Sequence, residues 1–249
     1  MSEVHVTDLI GIQDHVRDGF GWAHEDDVES ARAMVDACEH HPKASELGWS
    51  RTQRAATLER LTRSLREAKQ IVFVGADAAT SDLRGPWPEA TVFIAADGAV
   101  GACLGTVEPL CVVTDLDGGE HLERAVHSGA PLVMHAHGDN RAAWAEGLRR
   151  WETHAPPLVL THQTRETIEG MHNPGGFTDG DRAVCFVKWL GVSVDEAVFV
   201  GYSVSRVGPW SAVTQPERKL QKLAWMADIL DMVSPHWRVF TNASENRLS

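Results

Sequence analysis

From residue 71 onward the chain is punctuated by short apolar runs that each stop at polar or glycine residues. They are Ile71 to Val74, Thr91 to Ala95, Leu110 to Thr114, Pro131 to His135, Leu158 to Thr161 and Ala197 to Val200. Runs without polar alternation read as strands covered on both faces, the pattern of a parallel sheet. Between them, apolar residues recur at helical spacing over Glu120 to His127, Asn140 to Trp151, Asp181 to Leu190 and Glu217 to Val233. Strand alternating with helix predicts an α/β fold, a doubly wound and mostly parallel sheet. Trp237 to Thr241 reads as an antiparallel addition. Residues 1–69 show helices and no strand: Val28, Ala31, Met34, Val35 and Cys38 mark one, and Ala55, Leu58, Leu61, Leu65 and Ala68 another. The chain thus divides into an N-terminal helical region, 1–69, and an α/β domain, 70–249. The former reads as a packing appendage, with Phe20 and Trp22 between glycines as an aromatic wall over a ligand.

The residues at the strand ends point to a site as well as a fold. The strands lead into Gly75-Ala76-Asp77, Ala96-Asp97-Gly98, Asp115-Leu116-Asp117, His137-Gly138-Asp139-Asn140, His162-Gln163 and Gly201-Tyr202-Ser203. In an open parallel sheet these ends share one rim, where ligands bind. A turn preference explains any one acid there, but four consecutive strands deliver one. Asp115 and Asp117, one residue apart at a strand end, repel each other unless a hard divalent cation joins them, and oxygen-only ligation points to Mg²⁺. The glycine-rich stretch from Asn173 through Gly175 and Gly176 to Arg182 enters a helix, and free N–H groups there suit phosphate. It is not a Walker A loop, but Arg182 in the helix's first turn opposes the macrodipole and makes more sense with an anion opposite. An exposed Arg182 paired with Asp179 is the plainer of the two readings. Lys219 and Lys222 share a helix face.

Composition narrows the partners. The 249 residues carry a formal charge of −12, which disfavours nucleic acid and anionic membrane. Five residues are lysine, and an acidic, lysine-poor surface resembles proteins of salt-loving archaea, although any acidic cytosolic protein looks similar. Cys38, Cys103, Cys111 and Cys185 form no C-x-x-C and read as reduced core residues. Without a membrane-length apolar stretch or signal core, the expectation is a cytoplasmic protein, with a homo-oligomer among the states allowed.

The segments Ile94-Ala95-Ala96-Asp97-Gly98-Ala99, Val113-Thr114-Asp115-Leu116-Asp117-Gly118 and His135-Ala136-His137-Gly138-Asp139-Asn140, with the Gly175 to Arg182 loop, resemble the archaeal 6-hydroxymethyl-7,8-dihydropterin diphosphokinases. That family is in turn similar to thiamine diphosphokinases. The resemblance covers nearly the whole chain and implies a thiamine diphosphokinase-like Rossmann-type core. It implies transfer of diphosphate from ATP to the pterin hydroxymethyl group, releasing AMP, in folate- or methanopterin-type pterin biosynthesis. Catalysis then falls to Asp97, Asp115, Asp117 and Asp139, with Mg²⁺ on Asp115, Asp117 and Asp139. Gly75, Gly98, Asn140, Gly175, Gly176, Arg182, Lys219 and Lys222 would hold the nucleotide. Trp22, Gln163, Asn173 and Asp181 are candidates for the pterin. Asp97 or a histidine is the candidate base. Relatives usually carry Gly-Ala-Gly-Pro-Ser-Leu after the first strand, whereas this chain has Gly75-Ala76-Asp77-Ala78-Ala79-Thr80.

Three alternatives stand beside this. A thiamine diphosphokinase would differ in the acceptor pocket alone, and a regulatory module would bind ATP without turnover. His135-x-His137-x-Asp139 also matches the opening of binuclear metallohydrolases, but the next residue there is histidine and here it is Asn140.

Overall fold

Every apolar run becomes a strand of one sheet in the computed structural model, which describes residues 6–211 and 216–238. The strands are β1 (Gln70–Val74), β2 (Thr91–Ala96), β3 (Pro109–Thr114), β4 (Leu132–Ala136), β5 (Leu158–His162) and β6 (Val198–Val200). They lie in the order β5-β4-β3-β2-β1-β6, and every neighbouring pair is parallel. Successive side chains point to opposite faces, so each run feeds two cores. Val72, Val74, Ala95, Val112, Met134 and Leu160 enter one. Ile71, Phe73, Ile94, Val113, Val133 and Val159 enter the other.

The helices are α1 (Val6–Phe20), α2 (His24–Glu39), α3 (Arg51–Glu67), α4 (Val100–Cys103), α5 (Gly119–His127), α6 (Arg141–Arg150), α7 (Asp179–Trp189) and α8 (Pro216–Val233). One layer is built by α2, α4, α5 and α6, through Met34, Ala102, Leu122 and Trp144 among others. The opposite layer is built by α1, α3, α7 and α8, through Val16, Leu61, Phe186 and Leu230. The helices of residues 6–67 therefore contribute to both layers. The chain steps from β1 to β5 with α4, α5 and α6 on one face, then returns through α7 on the other to set β6 beside β1. That reversal opens a crevice at the carboxyl ends of β1 and β6, where ligands bind in folds of this kind.

The sheet is wholly parallel among the described residues. The antiparallel addition expected at Trp237 to Thr241 lies mostly outside them. Trp237 itself is buried and donates its indole N–H to Asp231 in α8. All four cysteines are free and buried. No helix among the described residues is long and apolar enough to cross a membrane.

Candidate active site

Four carboxylates meet at the rim. Asp97 follows β2, Asp115 and Asp117 follow β3, and Asp179 opens α7. One oxygen from each lies within 4.8 Å of the others. Two backbone departures help to shape the cluster. Leu116, between the paired acids, has φ 77°, and Asp97 has φ 46°. Non-glycine residues in this region cost about 1–3 kcal/mol and persist where the surroundings over-determine them. Here Leu116 N–H donates to Thr114 Oγ1 at 2.8 Å, while the Thr114 hydroxyl donates to Asp97. The same threonine thus ties the β3 turn to the β2 end.

So many acids cannot all ionise unaided. Burial pushes the Asp97 carboxyl well above its ordinary range, helped by a hydrogen bond to Asp117 and the charges of Asp179, Asp117 and Asp115. Asp179 is raised to about 8 by burial and by Asp115, against the pull of Arg182. Asp115 goes the other way. Burial opposes its charge, but the hydrogen bond and charge of His137, with Arg182 and Lys222 beyond, hold it well below the usual carboxylate range. His137 is raised to about 9: burial opposes its charge, and Asp115 and Asp139 outweigh burial. Asp115 Oδ1 is nevertheless buried without a hydrogen-bond partner among the described residues. An all-oxygen donor set with an orphaned carboxylate oxygen fits a hard divalent cation such as Mg²⁺.

Beside the cluster a pocket runs to the β1/β6 crevice. Its wall includes Asp97, Asp115, Asp117 and Asp179, with Lys219 and Lys222 of α8 opposite. The chain after β6 folds over it: Trp210 N–H donates to Ala76 O and its indole to Ala78 O. A Cβ on Gly98 would sit 2.2 Å from Trp210 O, so the β2 end and this covering loop meet backbone to backbone. Phe177, in the pocket wall, packs against Phe20 and Trp22, which stack at 4.8 Å. Lys222 Nζ lies 5.7 Å from the Trp22 and Phe177 rings.

No protein-family profile matches the chain. Three curated archaeal proteins do, each named 6-hydroxymethyl-7,8-dihydropterin pyrophosphokinase. The protein of Pyrococcus furiosus is 35% identical over 153 residues, 58% of this chain and 63% of the relative. That of Methanothermobacter thermautotrophicus is 44% identical over 106 residues, 41% and 43% of the two chains. That of Methanocaldococcus jannaschii is 35% identical over 98 residues, 39% and 40%. The chain is a relative of these pyrophosphokinases. It spans between 40% and 63% of the length of the relatives it matches.

Of the residues that the pyrophosphokinase resemblance singles out, Gly75, Asp97, Gly98, Asp115, Asp117, Lys219 and Lys222 all line the pocket. Asp139 does not join the cluster. Its side chain is 76% exposed and pairs with His137 Nδ1 at 2.5 Å, which holds its carboxyl below the ordinary range. Asn140 faces inward, donating to Asp115 O and His135 O and accepting from His137 N–H. Gly175 spends its N–H on Asn173 Oδ1, and Gly176 packs on the Arg182 backbone. Arg182 is 1% exposed. It holds Asp179 at 2.8 Å and Phe177 O at 2.6 Å from behind the cluster, contrary to the exposed arginine of the plainer reading.

Among the pterin candidates, Trp22 is joined to the pocket through Phe177 and Lys222, which line it, while three others turn away. Asp181 accepts from Phe177 N–H at 2.5 Å and Thr178 N–H at 2.8 Å as the capping partner of Thr178. Gln163 donates to Asp27 and meets His135, and Asn173 bonds Gln13 and Thr164 O. Asp179 is the cluster member that the sequence offers as the partner of an exposed Arg182. An acid beside a first-turn arginine was its one visible signal. His135 has both ring nitrogens engaged, by Thr161 and Gln163, and burial pushes it well below its ordinary range, so it is a core histidine.

Proposed function

We propose that the chain transfers the diphosphate of ATP to the hydroxymethyl group of 6-hydroxymethyl-7,8-dihydropterin, releasing AMP. The observation that carries the reading is the meeting of Asp97, Asp115, Asp117 and Asp179 within 4.8 Å beside a pocket with two lysines. The name of the relatives supports the acceptor, and the geometry supports phosphate chemistry. In this reading the doubly wound sheet is a thiamine diphosphokinase-like core, residues 70–249 carry catalysis, and residues 1–69 brace it.

The substrate hydroxyl oxygen bonds to the β-phosphorus, the bond from that phosphorus to the α-β bridging oxygen breaks, and the pair of electrons leaves with AMP. Such transfer needs placement and charge neutralisation more than covalent help. Mg²⁺ held by the carboxylate cluster would polarise the phosphates and neutralise their charge. Lys219 and Lys222 supply further counter-charge from α8. The hydroxyl proton goes to a carboxylate of the cluster, because His137 is protonated at neutral pH and His135 is occupied on both nitrogens. The stacked Phe20 and Trp22, with Phe177, offer a flat wall for the pterin.

The test is a panel of acceptors with ATP and Mg²⁺. AMP formed with the pterin alcohol is the expected result. ADP would refute diphosphate transfer, AMP with thiamine alone would reassign the acceptor, and tight ATP binding without product would leave a nucleotide-binding module.

A further inference from the structure

Resting on that reading, we infer that Asp27, in the first turn of α2, is a positioning residue that sets the geometry of the carboxylate cluster through the loop after β4. Acids at a helix start ordinarily face water, as Glu25 and Asp26 do here. Asp27 is 3% exposed and turned into the protein. Its carboxylate collects donors from three separate segments: Gly138 N–H at 2.7 Å, Gln163 Nε2 at 2.9 Å and Arg17 Nη1 at 3.3 Å.

The Gly138 bond reaches the site. Residues on either side of that glycine grip Asp115: His137 Nε2 meets its Oδ2 at 3.3 Å, and Asn140 Nδ2 donates to its backbone oxygen at 3.0 Å. His137 and Asn140 both hold Asp115, so where the loop sits decides how the cluster is aimed. The loop lies against α2 so closely that a Cβ on Gly138 would come 2.8 Å from Asp26 Cβ. A carboxylate accepting a backbone N–H makes a short, directional, charge-assisted bond. Arg17, held by Gln163 O at 2.6 Å and by Asp14, steadies Asp27 from the side away from Gly138. The N-terminal helices therefore act on the reacting groups without touching them.

The experiment titrates Mn²⁺ into the full chain and measures kcat, KM and melting temperature for wild type, Asp27→Ala, Gly138→Ala and Arg17→Met. Outer partners of a metal site cost about 10–100-fold in affinity or activity when removed. Asp27→Ala and Gly138→Ala, which attack one bond from its two ends, are expected to lose Mn²⁺ affinity and kcat by about 10-fold or more. KM for the acceptor should move less. Arg17→Met is expected to melt earlier while keeping Mn²⁺ affinity within about 2-fold, since it leaves the Gly138 bond in place. Wild-type Mn²⁺ affinity and kcat in both Asp27→Ala and Gly138→Ala would overturn the inference while the functional reading stood. Should Asp27→Ala fail to fold, Gly138→Ala decides alone. A wild-type protein that neither binds Mn²⁺ nor turns over would sink the functional reading, and this inference with it.

Discussion

Asp115 and Asp139 were equivalent candidates as strand-end acids, and their surroundings separate them. Asp115 has an orphaned buried oxygen inside the cluster, whereas Asp139 is mostly exposed and satisfied by His137. Asp115→Asn and Asp117→Asn are each expected to cut turnover by at least about 100-fold, the scale of a lost transition-state stabiliser, with the fold intact. Asp139→Asn, joined to the cluster only through His137, should cost about 10-fold, well short of either loss, under the same assay. Equal losses at all three would return Asp139 to the cation. Asp97 offers a different test, because its raised carboxyl is neutral over part of the pH range. A folded value above the unfolded one confers relative stability that is full below about pH 4 and is lost as pH rises toward the folded value. Asn imitates the protonated acid and still accepts from Thr114. Asp97→Asn should therefore melt like wild type near pH 4 and about 2–4 °C higher at pH 8 without metal, the shift of about 1 kcal/mol in a chain of this size. A gap that narrows as pH rises would contradict this. Asp97, Asp115 and Asp117 were legible because each ends an apolar run. Asp179 was not, since it follows a glycine-rich loop and meets the others through tertiary folding alone.

At the scale of elements, buried parallel strands write themselves as unbroken apolar runs, and each observed strand falls within a residue of its predicted ends. Helix α1 was harder to delimit. Its inward face carries Gln13 and Arg17, both buried and both spent on hydrogen bonds, which interrupts the apolar stripe. The same disguise hid Asp27. Helix α7 shows how an element presents a reactive group: Asp181 accepts from both the N–H and the hydroxyl of Thr178 across the turn that carries Asp179. Losing a cap of this kind costs about 0.5–2 kcal/mol. Thr178→Ala should lower the melting temperature by about 2–4 °C per kcal/mol lost and weaken Mn²⁺ binding, because the turn bearing Asp179 loosens. Unchanged Mn²⁺ affinity in a destabilised Thr178→Ala would show that the cap serves α7 alone.

The whole molecule carries −12 with five lysines, and two of those, Lys219 and Lys222, face the pocket. Self-repulsion of such a surface is screened as ionic strength rises. The melting temperature is expected to climb between dilute buffer and molar KCl, and a flat or falling profile would count against salt adaptation. Strand order adds a consequence in time. β6 is short and pairs with β1 only after all the chain from β2 to α7 has been laid down, a non-local closure that folding reaches slowly. The seam between β1 and β6 is therefore expected to close late and to open early. Hydrogen exchange should find the Gly75 and Val200 amides less protected than those of β3 and β4. If ATP occupies the pocket beside the seam, as proposed, it should slow their exchange more than it slows the others. Substrate would then act as the clasp of a sheet that is otherwise free to breathe at its pocket.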